Sequence, residues 1–80
     1  MKFETTDIVK IQTTDHTGHK ATRLLAPQSE SSRFLVGEEV DREGARTGRI
    51  HVIDVTTVTR RIPMQWNLHY GRLEVTKPRV

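Results

Sequence analysis

Cysteine is absent from this chain of 80 residues, and aromatic side chains are few. Without thiols there is neither a disulfide framework nor a thiolate site for zinc, which is compatible with a reducing compartment. The five glycines and three prolines stand apart from one another, so the chain has no linker and no low-complexity tract. Nothing in the composition divides the chain into parts.

Long apolar runs are also missing. No stretch approaches the roughly 18 to 20 residues that cross a bilayer. Residues 1–10 contain Glu4 and Asp7 and lack the apolar core of a signal peptide. We therefore expect a cytoplasmic protein that makes no membrane contact.

A chain of this length has room for one hydrophobic core, so residues 1–80 are predicted to form a single domain. A domain of this size buries only about 60% of the surface that its unfolded chain exposes, which predicts modest stability. A partner or a homo-oligomer contact would supplement that stability.

The charged residues are unevenly distributed along the chain. Residues 1–43 hold six Lys/Arg and eight Asp/Glu, a net charge of −2, whereas residues 44–80 hold seven Lys/Arg and two Asp/Glu, a net charge of +5. Nine of the thirteen basic residues are arginine, whose guanidinium suits bidentate contacts with phosphate or carboxylate. We expect a domain with an acidic corner and a basic side.

The first third of the chain has the pattern of a β-hairpin. Residues 3–13 alternate with period two, which is typical of a half-buried strand. Turn-forming residues follow at positions 15–18, so residues 2–26 are predicted to form a hairpin. Pro27 is expected to end it, with a polar loop over residues 28–32.

The rest of the chain also reads as strands. Residues 33–41 are apolar with a break at Gly37, and residues 48–61 carry the strongest β signal. Within that run the apolar residues change between even-numbered and odd-numbered positions, as they do at a bulge or at a tight bend between two strands. Pro63 is expected to end the run, and residues 72–76 to form a last short strand.

The fold class predicted from these patterns is all-β, a small barrel or a curled antiparallel sheet of five to six strands. A barrel would also remove the open edges that make small sheets aggregate. At most one short helical turn is expected, near residues 64–70. Eleven threonines and thirteen Val/Ile residues argue against a helix-rich fold.

One segment, residues 34–54, resembles a known family. It begins with FLVGEEV and ends with GRIHVID, which is similar to the pattern of KOW and related SH3-like small barrels. The resemblance implies an SH3-like barrel in which Gly37 allows a sharp turn, Val40 enters the core and Gly48 permits a tight loop exit. Such barrels bind RNA, DNA or other proteins through their loops and one sheet face. The chain departs from the family in its long preceding strand pair and in the acidic start of its loop.

The residue types needed for catalysis do not occur in a catalytic arrangement. The serines cluster in one loop without a Gly-x-Ser-x-Gly elbow, and the chain has no Gly-rich phosphate loop. Asp15, His16 and His19 offer metal ligands from one turn, but exposed polar turn residues are the simpler interpretation. We therefore expect no enzyme activity, no metal and no cofactor.

Basic residues interleaved with aromatic residues predict a nucleic-acid interface in the second half of the chain. Arginines neutralise phosphates and make affinity salt-dependent, while Trp66 and Tyr70 can stack on bases. Arg60 and Arg61 are adjacent on a strand, so they face opposite sides and only one is expected to matter strongly. Trp66 is also a candidate core residue, because the chain has so few aromatics. The predicted nucleic-acid-binding residues are Arg46, Arg49, Arg60, Arg61, Trp66, His69, Tyr70 and Arg72.

A protein-interaction module is the other hypothesis that the sequence leaves open. An inhibitor or adaptor, of the kind that mobile elements encode, would present a strand edge or the acidic segment 38–43 to its partner. The net charge of +3 does not separate a nucleic-acid partner from a protein partner, because local patches matter more than the total. The residues predicted for the protein contact are Glu38, Glu39, Asp41 and Glu43.

Overall fold

Six strands and one short helical turn make up the secondary structure of the residues described by the computed structural model, which are 8–67 and 69–76. The strands are β1 (Ile8–Thr14), β2 (Lys20–Glu30), β3 (Phe34–Val40), β4 (Arg46–Asp54), β5 (Val58–Asn67) and β6 (Arg72–Val75). A 3₁₀ turn at Val55–Thr57 separates β4 from β5. The predicted all-β fold is confirmed. Residues 2–7 of the predicted first strand and the predicted tail 77–80 lie outside the described residues.

All six strands belong to one curled antiparallel sheet in the order β4-β3-β2-β1-β5-β6. The chain runs from β1 to β4 as a meander and then returns, through the 3₁₀ turn, to pair β5 with the other side of β1. β1 therefore lies inside the sheet, with Ile11 opposite Arg23 of β2 and opposite Arg61 of β5. Residues far apart in sequence become neighbours on the surface.

One face of the sheet carries the apolar core. Cross-strand pairing places Val9 opposite Leu25, and Leu35 opposite Ile53, so the period-two alternation of four strands points apolar residues the same way. Each fully buried Leu or Ile contributes about 1.5–3 kcal/mol. The core cluster and the partly buried valines packed against it are Ile11, Leu25, Leu35, Ile53, Val9, Val55 and Val58.

Pro27 and Pro63 lie within strands, contrary to the prediction that they end them. β2 continues past Pro27 to Glu30, and its register against β3 shifts between Pro27 and Ser29, as at a β-bulge, where proline is tolerated. Pro63 lies inside β5, and its carbonyl accepts the Thr76 N–H at 2.8 Å. Proline donates no hydrogen bond to the ladder, and β6 ends at Val75, one residue before the position opposite Pro63.

The helical turn lies at Val55–Thr57 rather than near residues 64–70. The Asp54 carboxylate caps it by accepting hydrogen bonds from Thr56 N at 2.9 Å and from Thr56 Oγ1 at 2.8 Å. Residues 64–67 continue β5 instead, because they pair with β6. The tight bend predicted within residues 48–61 corresponds to this turn.

Gly37 does not form the sharp turn that the family resemblance implied. It is buried in the middle of β3, and a Cβ there would lie 3.1 Å from the carbonyl oxygen of Ala26 and 3.2 Å from Leu25 Cβ. Glycine therefore suits the close approach of β2 and β3, because a side chain there would press on β2. Val40 is buried, as expected, and Gly48 has the positive φ of +82° that a tight backbone path needs.

Asp15 shapes the turn between β1 and β2 with its side chain. Its Oδ1 accepts hydrogen bonds from Thr17 N and His19 N, each at 2.9 Å. The Asp15 N–H donates to the His19 carbonyl at 3.0 Å, which closes the hairpin. Gly18 has a φ of +86°, a conformation that glycine adopts without steric strain. The predicted turn chemistry is confirmed.

The turn between β3 and β4 repeats this arrangement position by position. Asp41 Oδ1 accepts hydrogen bonds from Glu43 N and Ala45 N, each at 2.9 Å. The Asp41 N–H donates to the Ala45 carbonyl at 2.9 Å, and Gly44 has a φ of +83°. One local pattern, Asp-x-x-Gly-x, therefore forms two hairpin turns of the same sheet.

Candidate nucleic-acid interface

The four acidic residues predicted to contact a protein partner are mostly bonded within the β3–β4 hairpin. Glu38 Oε1 accepts a hydrogen bond from Arg46 Nη1 at 3.3 Å, and its Oε2 accepts one from Gly48 N at 2.9 Å. The Asp41 carboxylate belongs to the turn described above. Glu43 is exposed, and its carboxylate is the only one of the four that has no hydrogen-bond or ion-pair partner among the residues that the structure describes.

Glu39 faces His51 across the β3–β4 pair. His51 Nε2 lies 3.0 Å from Glu39 Oε1, and the Thr47 hydroxyl donates to Glu39 Oε2 at 3.3 Å. The hydrogen bond from His51 is the main reason why the pKa of the Glu39 carboxyl lies below its ordinary value. Segment 38–43 is therefore not a free acidic surface.

Arg60 and Arg61 face opposite sides of β5, as predicted. Arg61 forms a bidentate ion pair with Glu30, with its Nη1 and Nη2 each 2.7 Å from a Glu30 carboxylate oxygen. These hydrogen bonds lower the pKa of Glu30 and raise the pKa of Arg61. Arg60 is exposed and has no ion pair in the described part of the chain. Arg60 is thus the one of the two that remains available to a ligand.

The β5–β6 hairpin carries three of the predicted residues at its tip. The His69 and Tyr70 rings meet edge to face, with centroids 4.8 Å apart. The Arg72 guanidinium lies 5.1 Å from the centroid of the Tyr70 ring and donates from Nε to Glu74 Oε1 at 3.0 Å. Arg72 is therefore held by a carboxylate and a ring, while Tyr70 remains 65% exposed.

Trp66 is partly packed and partly exposed. It lies opposite Leu73 in the β5–β6 pair, and part of its ring packs on Gly44 of the β3–β4 turn. Its side chain is nevertheless 39% exposed. The ring is thus partly a packing residue and partly a surface available for stacking.

A second group of cations, which sequence reasoning missed, lies on the three central strands. Lys10 is opposite Leu24 of β2 and Ile62 of β5, and Gln12 is opposite Arg60, so Lys10 and Arg60 are diagonal neighbours on one face. Lys20 pairs with Thr14 on the same face. These cations are visible in the sequence, but only the strand order and register show that they share one face of the sheet.

Lys10 also lines a groove of about 610 Å³ together with Arg23 and Arg42. None of these three side chains forms an ion pair with the other described residues. Glu39 and Asp41 lie in the same groove, but their carboxylates are bonded within the β3–β4 hairpin. We call five cations the basic face. Lys10, Lys20 and Arg60 share one side of the sheet, whereas Arg23 pairs with Ile11 on the other side and is near Lys10 only where both line the groove with Arg42 of the β3–β4 turn.

Each of the two predicted basic residues of β4 has a carboxylate nearby. Arg46 is paired with Glu38 at 3.3 Å. Arg49 has no ion pair among the described residues, but it lies close enough to Glu39 to lower the pKa of that carboxyl. The eight predicted residues thus occupy three places: the first half of β4 (Arg46 and Arg49), the first half of β5 (Arg60 and Arg61), and the end of β5 with the adjoining hairpin tip (Trp66, His69, Tyr70 and Arg72).

Within residues 8–67 and 69–76, no group of three or more His, Cys, Asp or Glu side chains is placed to hold a metal ion. The Asp15 carboxylate next to His16 and His19 is bonded within its turn, chiefly to Thr17, and this lowers its pKa. No helix in the same ranges has the length and apolarity to span a bilayer.

Comparison with models of known protein families, with curated proteins and with solved structures finds no match for this chain. The fold and the surface chemistry of the described residues therefore carry the functional inference.

Proposed function

We propose that this protein is a small non-catalytic module that binds single-stranded nucleic acid through the basic face and the neighbouring aromatic side chains. The observation that carries the proposal is the unequal use of charges. In the described part of the chain, all carboxylates but one accept hydrogen bonds from the protein itself, whereas the cations of the basic face form no ion pair there.

Seven of the eight carboxylates in the described residues accept hydrogen bonds from the protein itself, the exception being Glu43. A phosphate backbone supplies the missing counter-charges for the basic face and releases condensed counterions on binding. The seven bonded carboxylates are Asp15, Glu30, Glu38, Glu39, Asp41, Asp54 and Glu74.

The groove of the basic face adjoins an aromatic surface. Arg42, which lines the groove, is two residues before Gly44, which contacts the Trp66 ring. A strand whose phosphates follow the groove thus reaches Trp66 and, beyond it along the hairpin, Tyr70. Stacking on such rings is worth about 1–3 kcal/mol per base and is open only to unpaired bases. This favours a single strand over a duplex.

The alternative of a protein-binding acidic segment has weaker support. Of its four residues, only Glu43 offers a carboxylate that is not already used inside the described part of the chain. The other form of that hypothesis, an exposed strand edge, depends on different residues.

We also infer that the curled sheet is a variant of the SH3-like small barrel, as the resemblance over residues 34–54 implies. Those residues form the β3–β4 hairpin. In the strand order, β5 is three positions away from β3, yet the turn of this hairpin contacts Trp66 of β5. Curling of that extent is what a small barrel requires.

Anisotropy titrations of fluorescent oligo(dT) and oligo(rU) with the full chain, at two salt concentrations, test the nucleic-acid proposal. The informative variant is R23Q/R42Q in the groove. The matched control is R33Q/R49Q, which removes the same charge from exposed arginines outside the groove. A duplex of the same length shows whether unpaired bases are required.

With about four phosphate contacts, affinity for a single strand falls about 50-fold between about 50 and about 200 mM salt. Loss of two contacts in R23Q/R42Q reduces that fall to about sevenfold, while R33Q/R49Q keeps it near the wild-type value. Equal effects of both double variants would mean that only net charge attracts the oligonucleotide. The absence of binding at low salt would rule out the proposal.

A further inference from the structure

β4 is an edge strand that exposes apolar side chains. In the described sheet it pairs with β3 on one side only. Val52 is 64% exposed and Ile50 is 50% exposed, and Phe34 on β3 is 41% exposed. Edge strands of monomeric proteins are usually protected by lysine, proline or a bulge. Between Ile50 and Asp54 this edge has none of these.

The register shows which backbone groups of β4 point away from β3. Val55 N donates to the Arg33 carbonyl at 2.9 Å, and the pairing continues from there as Phe34 with Asp54 and Leu35 with Ile53. Hydrogen-bonded and non-hydrogen-bonded pairs alternate along an antiparallel ladder. Of the β4 residues, His51 and Ile53 therefore bond to β3, while the outward-pointing backbone groups belong to Ile50, Val52 and Asp54.

We propose that a second copy of this chain pairs its own β4 with this edge, antiparallel, about a two-fold axis through Val52. In that register Val52 lies opposite Val52 of the second copy, and Ile50 lies opposite Asp54 of the second copy. All three residues with outward-pointing backbone groups then have partners, although the Asp54 carbonyl also accepts from the Thr57 hydroxyl. The arrangement is isologous, as a two-fold dimer requires.

Side-chain complementarity favours a second copy as the occupant. Alternate residues of a strand share a face, so the two-fold axis joins Ile50 and Val52 of both chains into one apolar strip. No like charges lie opposite each other in this register. The carboxylate of Asp54 does not intrude, because it is directed to Thr56 of its own turn.

The same edge also limits the assembly to two copies. Towards the start of β4 the register against β3 shifts, and Gly48 has a φ of +82°, so regular pairing stops before Ile50. Once two copies have paired, the β4 edge of neither chain is free to pair with a third copy. The remaining edge, β6, is only four residues long and carries Arg72 and Glu74. The contact therefore closes as a dimer and does not extend into a fibre.

Sedimentation equilibrium of the full chain over a wide concentration range tests the proposed dimer. The informative variant is Val52→Lys, which places like charges opposite each other on the two-fold axis. The matched control is Val75→Lys, which introduces the same change at a 51% exposed valine of the other edge strand. Wild type and Val75→Lys are expected to dimerise equally, and Val52→Lys to lose at least about tenfold in association constant.

Amide hydrogen exchange adds a readout that does not depend on a variant. In dilute protein, the amides of His51 and Ile53 are expected to be protected and those of Ile50 and Val52 to exchange rapidly. At concentrations where the dimer forms, all four become protected. A monomer at all concentrations, or equal dimerisation of the two lysine variants, would overturn the proposal. Neither result bears on oligonucleotide binding, which uses different residues.

Discussion

The ring of Trp66 rests on the backbone of Gly44, such that a Cβ on Gly44 would lie 3.2 Å from Trp66 Cε3. This contact joins the β3–β4 turn to β5, although three other pairings of the sheet separate β3 from β5 in the strand order. Leu73 of β6 lies at the same place, 4.0 Å from that position. The contact therefore helps to hold the sheet in its curled form.

Alanine at Gly44 is expected to destabilise the protein more than alanine at Gly18. Both glycines occupy the same position of the same turn, with φ values of +83° and +86°. Strain of an L-residue in this conformation accounts for about 1–2 kcal/mol in each variant. Only Gly44→Ala also presses a methyl group against Trp66, which adds about 1 kcal/mol or more, since nothing lies within 4 Å of a Cβ at Gly18.

Urea unfolding of the two glycine variants measures the difference directly. An additional loss of 1 kcal/mol corresponds to a fall of about 4–8 °C in Tm for a domain of this size. Equal losses for both variants would show that the Trp66 ring moves away freely and does not brace the turn.

Trp66→Ala is expected to reduce both stability and oligonucleotide affinity, whereas Tyr70→Ala reduces affinity only. Trp66 is 39% exposed and packs on Gly44, so its removal lowers the free energy of unfolding by about 1–3 kcal/mol. Tyr70 is 65% exposed, and its removal changes stability by less than about 0.5 kcal/mol. Each ring that stacks on a base contributes about 1–3 kcal/mol to binding.

Unfolding and anisotropy titrations at one temperature separate these two effects. Because Trp66 is the only tryptophan, its fluorescence also reports on its own environment when oligo(dT) is added. If both variants kept the wild-type affinity and salt dependence, the oligonucleotide would bind to the basic face without stacking on either ring.

The Glu30–Arg61 ion pair is expected to make stability fall in acid. The hydrogen bonds from Arg61 hold the pKa of Glu30 below 4.5, the ordinary value that applies in the unfolded chain. The pair therefore contributes its full stabilisation above that pH, and the contribution is lost as the pH falls through the lower pKa of the folded state. Glu30→Gln is expected to be less stable than wild type at neutral pH and to lose less stability on acidification.

Urea unfolding at neutral pH and at several pH values below 4.5 measures this difference. Glu43→Gln is the matched control, because it removes a carboxylate that has no partner among the described residues. The same acid dependence in both variants would mean that the ion pair contributes nothing to the pH profile of the fold.

The strands could largely be predicted from the sequence, because period two and β-branched residues act locally. Pro27 and Pro63 were misjudged as strand ends, since their tolerance depends on a bulge and on where β6 stops. The Asp15 turn was recognised from its residue types. The same pattern at Asp41 was taken as part of an acidic surface, although its carboxylate serves its own turn.

The basic face could not be predicted, because it depends on strand order. Dividing the chain into an acidic half and a basic half assigned Lys10 and Arg23 to the acidic half. In the sheet, β1 lies between β2 and β5, so Lys10 lies near Arg60 of the other half. Several arginines of the basic half are paired with glutamates, for example Arg61 with Glu30. This pair also cannot be read from the sequence, because its partners are 31 residues apart and come from β2 and β5.

The position of β1 within the sheet has a consequence during synthesis on the ribosome. β1 is the first of the six strands to emerge, but one of its two neighbours, β5, is completed only after β2, β3 and β4. Until then, the backbone groups of β1 that will bond to β5 have no partner strand. Ile11 of β1, which is fully buried in the finished fold, lacks part of its covering. One side of β1 therefore stays unpaired until β5 has left the exit tunnel.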